Sequence, residues 1–382
     1  MRTLKDLDIK NKRVLLRADF NVPIDDDGNL REASRIEHTL PTIRKLIEGR
    51  AAKIIIMSHL GRPDGKPVEN LRLGPVAKCL ERLLKEDLTK LDDCVGQRVR
   101  QQVQDSKTRL VLLENLRFHP EEERNDPQFA KELANLGDVY VNDAFGACHR
   151  SHASVDAITK YLPSCAGLLL EQEVRALNKL FRPRRPLVVV LGGSKVSDKI
   201  GLIENIGRRA DTILIGGAMA FTFLKAQGKE TGLNKVETGR LEYAGNISMK
   251  NIKLPTDFIM ADKVDESATA TLSKTIPKNA YALDIGEDTI SGFCNEISRA
   301  KTIIWNGPMG VFEVEKFAHG TKKIGEAIAR ADAETVAGGG DTVAAIEKLK
   351  LKGFTHVSTG GGAMLEFLEG KKLPGIVALE RN

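Results

Sequence analysis

The sequence predicts an α/β protein of two domains, each built on a parallel β-sheet flanked by helices. Three observations lead there. Short β-branched apolar runs alternate with longer amphipathic stretches along the chain, which is the βαβ rhythm of parallel sheets. The length, 382 residues, exceeds what one hydrophobic core organises, because single cores stop growing at about 250–300 residues. A proline-rich segment, RPRRP at 182–186, separates a helical pattern from a fresh strand and marks the boundary.

In the first half, strands are expected at 13–20 (RVLLRADF), 53–58 (KIIIMS), 109–115 (RLVLLEN) and 138–144 (DVYVNDA). Ser34 and Glu37 have the spacing of a capping box, and Gly49 stands where the helix they open should stop. A continuous helical pattern runs over 166–181 (AGLLLEQEVRALNKLF). In the second half, strands are expected at 187–191, 212–215, 280–285, 302–305, 334–337 and 356–359.

Composition narrows the function. Hydrophobic residues make up 41% and charged residues 29%, which is globular and excludes disorder or a coiled coil for the chain as a whole. The net charge of +6 would suit nucleic acid, but both signs are interspersed and aromatics are only 5%. Steering of small anionic substrates fits equally well. The most apolar stretch, 213–224, is short of the ~20 residues a membrane span needs, so no membrane association is expected. The opening MRTLKDLDIKNKR has no apolar run of a secretory signal. Cys79, Cys94, Cys148, Cys165 and Cys294 are scattered and odd in number, which argues against disulfides and structural zinc and points to the cytoplasm.

Three glycine-rich segments in the second half each follow an expected strand: GGSKVSDK (192–199), GGGDTVAAIEKL (338–349) and GGGAMLEFLEG (360–370). Glycine lets backbone N–H groups approach a ligand, and a helix N-terminus adds unpaired N–H groups and a favourable dipole, so strand–glycine loop–helix is a phosphate-binding design. No segment has Walker A spacing or GxGxxG with a ribose-binding acid, which argues against P-loop ATPases and nicotinamide dehydrogenases. Lys195 and Lys199 share a face if both are helical; if Lys195 is still in the loop it can reach a phosphate directly.

The first half places polar and cationic residues after its strands instead. Asp19 and Asn21 follow the first strand, with Arg35 soon after. His59 and Arg62 follow the second, Arg117 the third, and Arg150 the fourth, with His149 and His152 nearby. Ligands of parallel sheets bind at the carboxyl ends of strands, and Arg suits bidentate contact with phosphate or carboxylate.

These residues resemble the phosphoglycerate kinase family from about residue 15 to 375. The matching strings include RADFNVP, SHLGRP, ENLRFHPEEE, NDAFGACHRSHAS, GGSKVSDK, LIGGAMAFTFLKA, WNGPMGVFE, GGGDTVAA and STGGGAMLEFLEGK. The resemblance implies two Rossmann-like domains joined by a hinge helix: 1–165 binding phosphoglycerate, 166–185 as hinge helix and linker, 186–370 binding nucleotide, and 371–382 returning to the first domain. It implies transfer of the acyl phosphate of 1,3-bisphosphoglycerate to ADP, giving 3-phosphoglycerate and ATP, by a cytoplasmic monomer using Mg²⁺ with the nucleotide. Asp19, Asn21, Arg35, His59, Arg62, Arg117 and Arg150 would form the phosphoglycerate site. Gly193, Lys199, Gly216, Gly217, Asn306, Pro308, Glu313, Gly339, Gly340, Asp341 and Thr342 would surround the nucleotide, with Glu313 on the ribose and Asp341 on Mg²⁺. Arg35, Lys195, Lys199 and the backbone N–H groups of Gly340 and Gly362 are expected to serve the transferring phosphoryl group after hinge closure.

The small departures from the family pattern, Ala18, Ala218 and Met364 among them, remove no charge and no phosphate-facing donor. A catalytically silent relative would be expected to lack some of Arg35, Lys195, Lys199 and Asp341, and all four are present.

Overall fold

A computed structural model describes residues 1–25 and 27–381. The chain divides into two compact units, Met1–Arg175 with Lys372–Asn382, and Ala176–Lys371. No helix among the described residues is long and apolar enough to cross a membrane.

The first unit holds a six-stranded sheet: β1 (Arg13–Arg17), β2 (Lys53–Met57), β3 (Leu88–Lys90), β4 (Leu110–Leu112), β5 (Val139–Asn142) and β6 (Ser164–Ala166). The order is β3-β4-β2-β1-β5-β6, and every pairing is parallel. The two central strands align Val14 with Ile54 and Leu16 with Ile56. All four residues are fully buried, because a parallel sheet is covered on both faces and so reads as an unbroken apolar run.

Local details differ from the sequence expectations. Strands β3 (LTK) and β6 (SCA) lie outside the expected strands; both are on sheet edges, and neither carries an apolar β-branched run. Ala166 pairs with Asn142 in β6, so the helix expected from 166 begins only at Leu168 and runs to Lys179. The capping box does not form. Ala33 is the N-cap of the helix Ser34–Glu48, and the Ser34 hydroxyl donates to Glu32 instead. Gly49 does end that helix, though the left-handed residue is Arg50, at φ 58°. The helix Pro374–Glu380 packs into this first unit: Gly375 N donates to Cys148 O at 2.9 Å, and a Cβ at Gly375 would lie 2.7 Å from Val155.

The second unit holds β7 (Leu187–Leu191), β8 (Thr212–Ile215), β9 (Ile252–Lys253), β10 (Phe258–Ala261), β11 (Thr271–Ser273), β12 (Tyr281–Ile285), β13 (Thr302–Asn306), β14 (Glu334–Gly338) and β15 (His356–Ser358). Six form a parallel sheet in the order β15-β14-β13-β7-β8-β9. The segment expected at 280–285 becomes β12 and joins an antiparallel sheet, β11-β10-β12, outside the parallel sheet. Trp305, near the carboxyl end of β13, is fully buried; its ring lies 5.8 Å from that of Phe354, and its Nε1 donates to Gly307 O.

Candidate active site

In the first unit, the carboxyl ends of β1, β2, β4 and β5 deliver side chains to one edge. Beyond β2, Gly61 (φ 62°) turns the chain; its N–H donates to Asn21 Oδ1 at 2.9 Å, and its carbonyl accepts from Arg117 Nη1 at 2.7 Å. Asn115 stitches the next loop to the same turn: its amide donates to Leu60 O, and its oxygen accepts from Leu60 N and Arg117 N. Arg35, in the first turn of its helix, pairs with Asp19 at 2.8 Å. Arg117 is buried and lies 3.1 Å from Glu123; Arg150 is half-buried and donates to His149; Arg62 is exposed. Six of the seven sequence-predicted residues, Asp19, Asn21, His59, Arg62, Arg117 and Arg150, thus follow strands of one sheet, and Arg35, at the start of its helix, pairs with one of them.

The guanidinium groups dominate the electrostatics there. Burial works against ionising Asp19, but the Arg35 and Arg17 charges outweigh it and hold its carboxyl below the ordinary range. Burial pushes His59 well below the usual imidazole value, with Arg17 and Arg117 adding to the effect against the opposing pull of Asp19. His152 is pushed down to about 3 by burial and by Arg117, Arg17 and Arg150. Both imidazoles are therefore neutral at physiological pH, and the cationic character is carried by guanidinium groups.

In the second unit, glycine-rich turns leave β7, β8, β14 and β15 at their carboxyl ends, and the Asn306–Pro308 turn leaves β13. The turns after β7, β13, β14 and β15 enclose a cleft of about 140 Å³ lined by Gly193, Lys195, Lys199, Gly340, Asp341 and Gly362, among others. The backbones meet closely: a Cβ on Gly217 (φ 62°) would lie 2.6 Å from Gly193 N. Gly340 and Gly362 open the helices Gly340–Lys348 and Gly362–Leu368, and a Cβ on Gly340 would meet open space. Their first N–H groups have no partner within the helix.

Lys195 and Lys199 do not share a helical face. The helix starts only at Ile200, so Lys195 stays in the loop, exposed, while Lys199 is half-buried and donates to Asn306 Oδ1. Burial lowers the Lys199 pKa, against the opposing pull of Asp198, Asp341 and Glu369. Asn306 is itself fixed, with its amide on Gly338 O at 2.6 Å, and Thr342 Oγ1 accepts from Gly307 N at 2.7 Å. Gly216 lies behind the cleft against Met309.

A second pocket, of about 340 Å³, shares Gly193, Ser194 and Asp341 with this cleft. Its lining includes Phe221, Phe258, Leu283, Pro308 and Met309, with exposed Glu313 also on its wall. A polar, phosphate-sized cleft running into an apolar pocket has the layout of a nucleotide site. Asp341 is exposed, and among the described residues its carboxylate takes no hydrogen bond. An oxygen donor of that kind suits a hard cation.

A family model described as phosphoglycerate kinase matches residues 4–371. The chain belongs to the phosphoglycerate kinase family. It is 51% identical to the phosphoglycerate kinase of Moorella thermoacetica over 99% of this chain and 98% of that one. The solved structure of the Coxiella burnetii phosphoglycerate kinase aligns with TM-score 0.88 at 40% identity, over 99% of this chain and 98% of that one. That from Pyrococcus horikoshii aligns with TM-score 0.89 at 35% identity, over 100% and 98%. The enzyme is thus a glycolytic phosphotransferase acting on a carboxyl group, and its family implies a nucleotide-associated metal.

Two groups at these sites were passed over in the sequence. Arg17 is a fully buried cation that closes β1; the available signal was its place at the head of the RADFNVP string, directly after an apolar run. Glu237 accepts from Ser197 N at 3.0 Å and from Ser197 Oγ at 2.7 Å, and so braces the loop carrying Lys195 and Lys199. No sequence signal ties residue 237 to a loop forty positions earlier.

Proposed function

We propose that the two units divide the substrates, the first holding 3-phosphoglycerate or 1,3-bisphosphoglycerate and the second ADP or ATP. The observation that carries this reading is the contrast in chemistry. Guanidinium groups line one edge, suited to a small ligand with carboxylate and phosphate groups. Backbone N–H groups line a cleft that opens into an apolar pocket, suited to a nucleotide.

The reacting oxygens, on a nucleotide phosphate in one direction and a carboxylate in the other, are already ionised near pH 7, so no general base is needed. What the chain supplies is alignment and charge stabilisation for an in-line transfer. In this reading Arg35 clamps the carboxylate and the transferring group; Asp19, Asn21, His59, Arg62, Arg117 and Arg150 hold the rest of the phosphoglycerate. Lys195, free in its loop, binds the transferring phosphoryl group. Lys199, with the N–H groups of Gly340 and Gly362, holds the nucleotide phosphates, and Glu313 the ribose. The fit of Asp341 to a hard cation supports Mg²⁺ as the metal, which would neutralise phosphate charge when bound. Substrates held on separate units must be brought together, so compaction in small-angle scattering is expected only with both substrates present. A cytoplasmic monomer without nucleic-acid or membrane partners completes the proposal.

The test is turnover of MgATP with 3-phosphoglycerate, followed by coupled NADH oxidation. Lys195→Ala is expected to lose ~10²–10³ in kcat while its circular dichroism is unchanged. A loss of tenfold or less would remove Lys195 from the role assigned here.

A further inference from the structure

Arg17 closes β1, two residues before Asp19, and is 0% exposed. Its neighbours account for its donors in an unusual way. Nε donates to Ser154 Oγ at 2.8 Å, and Nη1 donates to Ala18 O. Nη2 lies 4.0 Å from the buried Glu122 carboxylate and 3.1 Å from His59 Nδ1. Glu122 is in turn held by Ser154, whose N–H and hydroxyl donate to it at 2.9 and 2.6 Å.

A guanidinium has five N–H donors and no acceptor, and it stays protonated in proteins. In the contact with His59 it can only donate, so Nδ1 must carry a lone pair and the proton of the neutral ring must sit on Nε2. We propose that Arg17 is a positioning residue that locks His59 into its Nε2–H tautomer, so that the imidazole presents a hydrogen-bond donor to an oxygen of phosphoglycerate. The ligand half of this proposal rests on the reading of His59 as a phosphoglycerate residue.

The surroundings explain why a tautomer lock is needed. Phosphate and carboxylate oxygens only accept, and a neutral histidine with its proton on Nδ1 would meet them with a lone pair. Protonating the ring would also supply a donor, but burial works against that, with Arg17, Arg117 and His152 adding to it, while Asp19 favours it. Among the described residues Nε2 forms no hydrogen bond, which leaves its donor for a ligand.

The lock is read by imidazole ¹⁵N–¹H correlation spectra of the ligand-free whole enzyme near neutral pH, with His59→Gln assigning the resonance. The expected pattern is Nε2–H in the wild type. Arg17→Met alone would strand a buried carboxylate, so the informative variant is Arg17→Met with Glu122→Gln. In it, the tautomers are expected to mix, and KM for 3-phosphoglycerate to rise about 10-fold, the equivalent of one hydrogen bond, with KM for MgATP unchanged. His59→Gln, whose amide can donate from the Nε2 position, should keep KM for 3-phosphoglycerate within about 3-fold, while His59→Asn, which imitates the Nδ1 side, should not.

An imidazolium or Nδ1–H pattern in the wild type overturns the proposal, as does an unchanged tautomer in the double variant. If the tautomer is as stated but both His59 variants leave KM for 3-phosphoglycerate untouched, the ligand half fails and so does the assignment of His59 to that site. Should the double variant not fold, the wild-type spectrum and the Gln–Asn contrast still decide.

Discussion

The two units share a parallel α/β architecture, and in the function proposed each holds an anion at the carboxyl ends of its strands, yet with different atoms. The first unit uses side chains. Arg35, Arg117 and Arg150 project from different elements, and their orientation depends on partners such as Asp19, Gly61 and His149. The second unit uses the backbone. Gly193, Gly217 and Gly339 take positive φ angles, and Gly340 and Gly362 open helices over the cleft. Side-chain recognition can be removed by deleting an atom group. Backbone recognition can be removed only by adding one, because there is no side chain to delete.

The largest effect that would test this contrast is on the side-chain half. Arg35→Ala should cost ~10²–10³ in kcat, because it removes a charge aimed at the reacting group. It also leaves buried Asp19 without its 2.8 Å partner, so a stability loss of ~1–3 kcal/mol should accompany it and is read separately by thermal melting. A wild-type kcat in this variant would take Arg35 out of the chemistry.

The backbone half is probed by a pair of glycines. Gly217→Ala forces a left-handed residue and a 2.6 Å approach to Gly193 N, and should destabilise the fold by ~1–3 kcal/mol while raising KM for MgATP. Gly340→Ala meets open space and should leave stability within ~0.5 kcal/mol. Its methyl would crowd a bound phosphate, so KM for MgATP alone should rise. Equal behaviour of the two variants in denaturant titrations and kinetics would break the distinction between a glycine needed for packing and one needed for access.

A smaller effect is expected where one side chain supports the backbone design. Glu237→Ala frees the Ser197 loop and should raise KM for MgATP by about 1 kcal/mol equivalent, roughly fivefold, with KM for 3-phosphoglycerate unchanged. A uniform change in both constants would indicate general loosening instead.

Near pH 7 the smallest is a pH effect confined to the first unit, and it grows only on acidification. His152 is pushed down to about 3 in the folded chain, against ~6.5 when unfolded. Between those values the unfolded chain binds more protons, so stability rises with pH across the window and falls on acidification. His152→Gln removes that uptake and should flatten the slope of stability against pH below ~6.5. An unchanged slope in urea titrations across that range would mean the ring is protonated in the folded protein too.

What could be read in the sequence tracks how local the physical cause is. The runs at 187–191 and 212–215 appear as strands with the expected bounds, because β-branched residues buried on both faces leave a pattern in consecutive positions. Strands β3, β6 and β9, two or three residues long, leave none. Ser34 and Glu37 have the right spacing for a capping box, but Ser34 lies inside the helix, so spacing alone misjudged the start. Arg62 and Asp341 were given roles as motif members; Arg17, though it opens the RADFNVP string, and Glu237 were not, since their meaning depends on partners at His59, Ser154 and Ser197 that only folding brings near.

Taken alone, the sequence determines the α/β class, the two-domain division in outline, the glycine-rich and cationic strand ends, and membership of a kinase family whose motifs run the length of the chain. Those follow from periodicity and from short strings, which are properties of neighbours along the chain. The tertiary structure alone decides which residues are working groups and which are supports: Lys195 left in a loop while Lys199 is tied to Asn306, Thr342 turned to Gly307, and Arg17 aimed at one nitrogen of His59. The physical reason is that a hydrogen bond or a buried charge depends on a distance of a few ångströms, and that distance is set by packing between segments tens of residues apart.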